Sequence, residues 1–233
     1  MLNYIETGTG RPLFMIHGNG GDLTYFENQI GAFSDTRRVI AVDTPGHGDS
    51  PRGEGPFTIE RFACDLKDLM TDMQIAAADL LGFSDGANIA LTFALKYPEM
   101  TDRLILCGAN LDPSGLKPLP RFAFRSAASQ RNEKKAEIAA LAASQPNIKV
   151  EDLHNCRART LVIAGTFDII RKSHTKMIAE NLPDSRLVFI TGGHSLPKEH
   201  PVPFNQAVSD FLTETDPKRI PDTDQGNLQE ILK

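Results

Sequence analysis

No apolar run in the 233-residue chain approaches the roughly 18–20 consecutive apolar residues that a membrane-spanning helix needs. A membrane-embedded protein is therefore not expected. The first ten residues already carry Glu6 and have no basic segment ahead of an apolar stretch, so no secretory leader is expected either. Cysteine is scarce. Cys64, Cys107 and Cys156 are odd in number and widely spaced, which leaves no disulfide framework and no paired-cysteine metal site and suits a reducing cytoplasm. Clustered positive charge is missing too: a net charge of −5 and a pI near 5.7 argue against a nucleic-acid surface. Internal repeats and low-complexity tracts are absent. The remaining composition, 40% hydrophobic and 24% charged, suits one large domain with a modest insertion and a small-molecule partner.

Short apolar runs alternate with amphipathic stretches, and the runs are nearly continuous, as parallel strands covered on both faces require. Strands are expected at residues 13–16, 38–42, 79–82, 104–107, 161–164 and 187–190, and helices at 23–33, 59–73, 87–96, 173–181 and 204–212. Such alternation predicts an α/β fold with a mostly parallel sheet flanked by helices; residues 2–5 are expected to add an antiparallel edge strand. The interval 111–157 breaks the pattern. It is too long for a simple crossover and has a helical stretch of its own at 132–144, so it reads as a short helical cap inserted into a core of residues 1–110 and 158–215. Its eight basic and five acidic residues give it a net +3 within an acidic chain, and most of these charges are expected on a solvated helix face. Residues 216–233, rich in Asp, Pro, Gln and Asn, read as a tail.

The sequence Gly82-Phe83-Ser84-Asp85-Gly86 follows one expected strand directly and opens a helix. A G-x-S-x-G in this strand–turn–helix setting holds its serine in a strained turn, and only small residues two before and two after it let strand and helix approach so closely. Ser84 is thus the candidate nucleophile; the simpler alternative is a glycine-rich turn whose serine caps the helix. A serine needs a base and an orienting acid, in the order Ser, Asp or Glu, His for such an elbow. Asp168 follows the expected strand at 161–164, and His194 follows the one at 187–190, so three strand ends deliver hydroxyl, carboxylate and imidazole to one sheet edge. Asp112 is the alternative orienting acid. His17-Gly18-Asn19-Gly20-Gly21 supplies a turn after the first strand, from which the Asn19 amide would join that of Asp85 in stabilising an oxyanion. No G-x-G-x-x-G and no Gly-Lys-Ser/Thr is present, so nucleotide cradles fail.

These motifs, with Asp43-Thr44-Pro45-Gly46-His47-Gly48-Asp49-Ser50, resemble the α/β-hydrolase fold family from Leu2 to about Leu212, the cap excepted. Within that family the elbow's acidic Asp85, and the run from Lys96-Tyr97-Pro98 through Gly108-Ala109-Asn110, are most similar to the valacyclovirase (biphenyl-hydrolase-like) branch. The resemblance implies a serine esterase that forms an acyl-enzyme on a small carboxylic ester, including α-amino-acid esters, without cofactor or metal. The Asp43–Ser50 segment is then a structural turn, and its Asp/His spacing matches no standard metal motif. Asp85 becomes a candidate for recognising a substrate cation, and Phe122 and Phe124 candidate pocket residues of the cap. The alternatives are a carbon–carbon bond hydrolase or lyase acting on an acidic dienoate, and a non-enzymatic ligand receptor on the same fold.

Overall fold

The structure is a computed structural model that describes residues 1–214, the Lys134 side chain excepted; the expected tail at 216–233 lies outside the described residues. Seven strands form one sheet: β1 (Tyr4–Thr7), β2 (Arg11–Ile16), β3 (Arg37–Val42), β4 (Ala78–Phe83), β5 (Thr101–Cys107), β6 (Arg159–Gly165) and β7 (Ser185–Ile190). Their order across the sheet is β1-β3-β2-β4-β5-β6-β7. Only β1 runs antiparallel, paired with β3 from Tyr4 opposite Val42 to Thr7 opposite Val39, two residues later in the chain than the sequence suggests. The inner parallel strands are buried on both faces, which explains their continuous apolar runs, and all six residues of β4 are buried, whereas β7 at the sheet edge buries only Ile190.

Among the described residues eight helices accompany the sheet: α1 (Glu27–Phe33), α2 (Ile59–Asp72), α3 (Asp85–Lys96), α4 (Pro118–Ala127), α5 (Glu133–Ser144), α6 (Lys172–Asn181), α7 (Leu196–Glu199) and α8 (Pro201–Thr213). Strand side chains alternate between two cores. Phe14, Ile16, Leu80 and Leu106 pack with α2, α3 and α6, and Leu13, Met15, Leu81 and Ile105 pack with α1, α7 and α8. Thr58 starts α2 by accepting from the Arg61 amide at 3.0 Å.

Between β5 and β6 the chain leaves the sheet to form α4 and α5. Asn132 caps α5 by accepting from the Lys135 amide at 3.0 Å, and Ala139, Leu141 and Ala142 are the face it buries. Helix α4, which the sequence did not suggest, buries no residue at all. Its prolines at 118 and 120 look like helix breakers but stand in the first turn, where a missing N–H leaves no carbonyl without its donor. A 3₁₀ turn at Val150–Asn155 then returns the chain to the body, with Leu153 and Cys156 in the core beside α3 and α6.

Candidate active site

The turn from β4 into α3 places Ser84 at φ 54°, ψ −120°, a left-handed strain of about 1–3 kcal/mol for a residue with a side chain. The surrounding glycines are sterically required. A Cβ on Gly82 would lie 2.3 Å from the Gly86 carbonyl oxygen, and one on Gly86 would lie 2.0 Å from that of Ile16. The Ser84 amide donates to the Cys107 carbonyl at 2.8 Å, tying the turn to β5.

His194 and Asp168 reach the serine from the ends of β7 and β6. His194 Nε2 lies 3.0 Å from Ser84 Oγ, and His194 Nδ1 lies 2.7 Å from Asp168 Oδ1. Asp168, 3% exposed, also accepts the Ile170 amide at 2.9 Å, so its carboxylate is fixed before the imidazole arrives. The two loops are stitched together by the Thr166 and Phe167 amides, which donate to the Ile190 and Gly192 carbonyls at 2.9 Å. Asp112 takes no part; it caps the turn at Pro113–Gly115, accepting the Ser114 amide at 2.6 Å.

Three residues not singled out in the sequence hold the imidazole. Phe83 packs on His194 with ring centroids 4.9 Å apart, and Tyr25 stacks on the far face of the assembly against Phe83 at 4.5 Å and 9°. Gly108, at φ 66° after β5, leaves the room: a Cβ there would stand 2.7 Å from His194 Cε1. A glycine at a strand's carboxyl end was the available signal. For Tyr25 the sequence offered none.

The amides of Asn19 and Asp85 donate to no acceptor among the described residues. The Asp85 amide heads α3, where four N–H groups lack intrahelical partners, so it is open to a ligand. The Asp85 carboxyl is buried and forms no ion pair with any described side chain. Burial pushes it up to about 6, against the hydrogen bond from Asn19 and the charge of His194. Asn19 Nδ2 donates to Asp85 Oδ2 at 2.8 Å and to the Ile138 carbonyl of α5 at 2.7 Å, so one side-chain amide joins the turn after β2, the elbow and the insertion.

Phe122 is 72% exposed on α4 and lines a groove that none of the triad residues lines, and Phe124 is half-buried on the same helix. The Asp43–Ser50 turn is built around Asp43, whose carboxylate accepts Asn3 Nδ2 at 2.7 Å and the amides of Leu23 and Asp49 at 2.7 and 2.9 Å. His17 accepts the Thr44 amide on Nε2 at 3.1 Å, and burial pulls its pKa down to about 4, keeping the ring neutral. No group of three potential metal ligands occurs among the described residues, and no described helix is long and apolar enough to cross a membrane.

The chain is similar to known proteins in sequence and fold. Residues 11–136 match the family model of the alpha/beta hydrolase fold. A 2-hydroxymuconate semialdehyde hydrolase of Pseudomonas sp. (strain CF600) is 31% identical, over 94% of this chain and 92% of its own. Among solved structures, a thermophilic esterase from Thermogutta terrifontis superposes with a TM-score of 0.77 at 28% identity, covering 91% of this chain and 92% of its own. The enol-lactonase from Burkholderia xenovorans LB400 shares the fold with a TM-score of 0.80 at 23% identity, over 91% of this chain and 96% of its own.

Proposed function

The chain belongs to the α/β-hydrolase fold family and is a hydrolase of that fold, and from that premise we propose that it cleaves small carboxylic esters through an acyl-enzyme on Ser84. The observation that carries this reading is the continuous line of hydrogen bonds from Asp168 through His194 to Ser84 Oγ. His194 Nε2 takes the hydroxyl proton as Ser84 Oγ bonds to the acyl carbon, and Asp168 holds the imidazolium that results. The oxyanion accepts from the amides of Asn19 and Asp85. As the tetrahedral adduct collapses, the imidazolium gives its proton to the departing alcohol, leaving the acyl group on Ser84. Water then repeats the cycle: His194 takes its proton, its oxygen bonds to the acyl carbon, and Ser84 recovers the proton as the carboxylic acid leaves.

Asp85 supports an ester, neutral or cationic, over an acidic dienoate. A buried carboxylate without a cationic partner among the described residues, one residue from the nucleophile, repels a substrate carboxylate and attracts an ammonium such as that of an α-amino-acid ester. The second reading, carbon–carbon bond hydrolysis of an acidic dienoate, is favoured by the likeness to the 2-hydroxymuconate semialdehyde hydrolase. Both are tested by giving wild type and Ser84→Ala a series of p-nitrophenyl esters, an aminoacyl ester, its des-amino analogue and a 2-hydroxy-6-oxo-dienoate. Ser84→Ala is expected to lose ester hydrolysis and fluorophosphonate labelling. Retention of activity within about tenfold, a difference of only about 1.4 kcal/mol, would overturn the nucleophile. A dienoate turned over faster than every ester would overturn the substrate class.

A further inference from the structure

Seven of the described arginines pair with a carboxylate, and Arg103 is held by carbonyl groups. Three that form no ion pair among the described residues, Arg121 and Arg125 one turn apart on α4 and Arg171 between β6 and α6, line a single groove of about 680 Å³. Arg171 is anchored, its Nε donating to the Leu116 carbonyl at 3.2 Å and its amide to that of Gly115 at 2.8 Å. Arg121 Nε is shut off from solvent and has no acceptor among the described residues. Asp112 lies within electrostatic reach of Arg121 but forms no ion pair with it, and its Oδ1 accepts the Ser114 amide. No acidic residue occurs anywhere from 113 to 132. The groove also has an apolar wall in Phe122, which stands 72% exposed to solvent.

Three arginines around one groove, with no carboxylate among its lining residues, set like charges side by side. An oxyanion in the groove offsets these like charges. The planar guanidinium fork matches the paired oxygens of a carboxylate or phosphate, and Arg121 and Arg125 stand at the i, i+4 spacing that places two forks side by side. We propose that this groove binds an organic oxyanion, a carboxylate or phosphate carried on an apolar acyl or aryl stem, with the arginines on the oxygens and Phe122 against the stem. The site is separate from the hydrolytic centre: none of Ser84, Asp85, Asn19, Asp168 and His194 lines the groove. The assignment does not depend on which bond the triad cleaves. A carboxylate released by ester hydrolysis and a phosphorylated metabolite both fall in this ligand class, and they differ in charge.

The chain has no tryptophan, so a fluorescent arylsulfonate, anilinonaphthalene sulfonate, reports occupancy over a low background. It is titrated into the full chain and displaced with benzoate, phenyl phosphate or inorganic phosphate. Displacement by phenyl phosphate or benzoate is expected, the stronger of the two identifying the source, and added salt is expected to weaken both. Arg121→Gln and Arg125→Gln should each weaken binding about tenfold while leaving turnover of a neutral p-nitrophenyl ester within about twofold. Enzyme labelled on Ser84 by a fluorophosphonate should bind as the free enzyme does. Binding unchanged in both arginine variants would overturn the site, and inorganic phosphate displacing as well as phenyl phosphate would overturn the apolar stem. Loss of binding on Ser84 labelling would make the groove part of the substrate pocket and overturn its separateness.

Discussion

Asp85 stands where a carboxylate is least stable: buried, one residue from the nucleophile, and held by side-chain amides rather than by a cation. Burial raises its pKa from 3.8 to about 6, so between those values the folded chain binds the proton more tightly than the unfolded chain. The penalty is therefore absent below about pH 4, grows as pH rises through 6, and is complete above it. Asp85→Asn, whose amide oxygen still accepts from Asn19, should stabilise the fold by about 2–3 kcal/mol at pH 8 and by almost nothing at pH 4, read from urea unfolding. An equal gain at both pH values would remove the charge argument. The same titration has a kinetic counterpart: the ratio of kcat/KM for an aminoacyl ester over its des-amino analogue should fall as pH drops through about 6, and should be flat in Asp85→Asn. Both substrates meet the same triad, so the steps they share cancel in the ratio. Gly108 makes a second case at this scale. At Gly108→Ala the new methyl meets the His194 ring at 2.7 Å and adopts a φ of 66°, so kcat should drop by about a hundredfold or more with circular dichroism little changed. These two residues were unequally legible in the sequence. Asp85 stood inside a recognised motif. Gly108 becomes meaningful only once β5, β6 and β7 are seen to end side by side.

Among the elements, α5 and the elbow are joined through the single side chain of Asn19, which gives one hydrogen to Asp85 and the other to the Ile138 carbonyl. The Arg52–Glu137 ion pair adds a second tie between α5 and the turn after β3, but it is exposed and contributes little. Asn19→Ala should therefore loosen α5, seen as faster amide exchange around residue 138, and lower kcat about tenfold with less effect on KM, because the main-chain amide of residue 19 loses its fixed position. Asp85→Asn, which keeps an acceptor for Asn19, should leave the exchange unchanged. Slow exchange retained in Asn19→Ala would show that the insertion is held by its buried alanine and leucine face alone. The sequence announced α5 through its periodicity and its Asn132 cap but was silent on α4, whose apolar Leu119 and Phe122 point to solvent. Periodicity says which residues share a face of a helix. It does not say whether that face meets a core. The elbow, in contrast, was fully legible because its constraint is local: two glycines and a serine within five residues satisfy a clash that the backbone alone creates.

At the scale of the whole molecule, the end of the sheet opposite the triad is a charge lock. Arg11, Arg37, Arg103 and Arg159 stand near the amino ends of β2, β3, β5 and β6, and Asp79, fully buried on β4, lies in their midst. Arg37 Nη1 bonds Asp79 at 2.6 Å, while Arg37 and Arg103 donate to the Leu212 carbonyl and Arg103 to that of Glu214, closing the carboxyl end of α8, where a cation also meets the helix dipole. Arg159 and Arg186 hold the Glu214 carboxylate at 2.5 and 2.6 Å. None of this was legible in the sequence, since several acceptors are main-chain carbonyls at the far end of the chain and the strand order that gathers the arginines around Asp79 is not written in any one segment. Strand number and direction followed from the alternation of apolar runs; the order β1-β3-β2-β4 did not. The lock makes a prediction that separates stability from chemistry. Asp79→Asn removes the carboxylate that Arg37, 13% exposed, and Arg11 share, so unfolding free energy should fall, but by less than the about 3–5 kcal/mol of a broken buried pair, because burial itself holds the Asp79 carboxyl above its ordinary pKa. Ser84 lies five residues further along an extended strand, roughly 17 Å away. The folded fraction should accordingly keep kcat/KM within about twofold of wild type, measured at a temperature where circular dichroism shows the variant folded. A large loss of kcat/KM in fully folded Asp79→Asn would mean that the lock also sets the strand ends that carry the triad, since β4 is the rod joining Asp79 to the elbow.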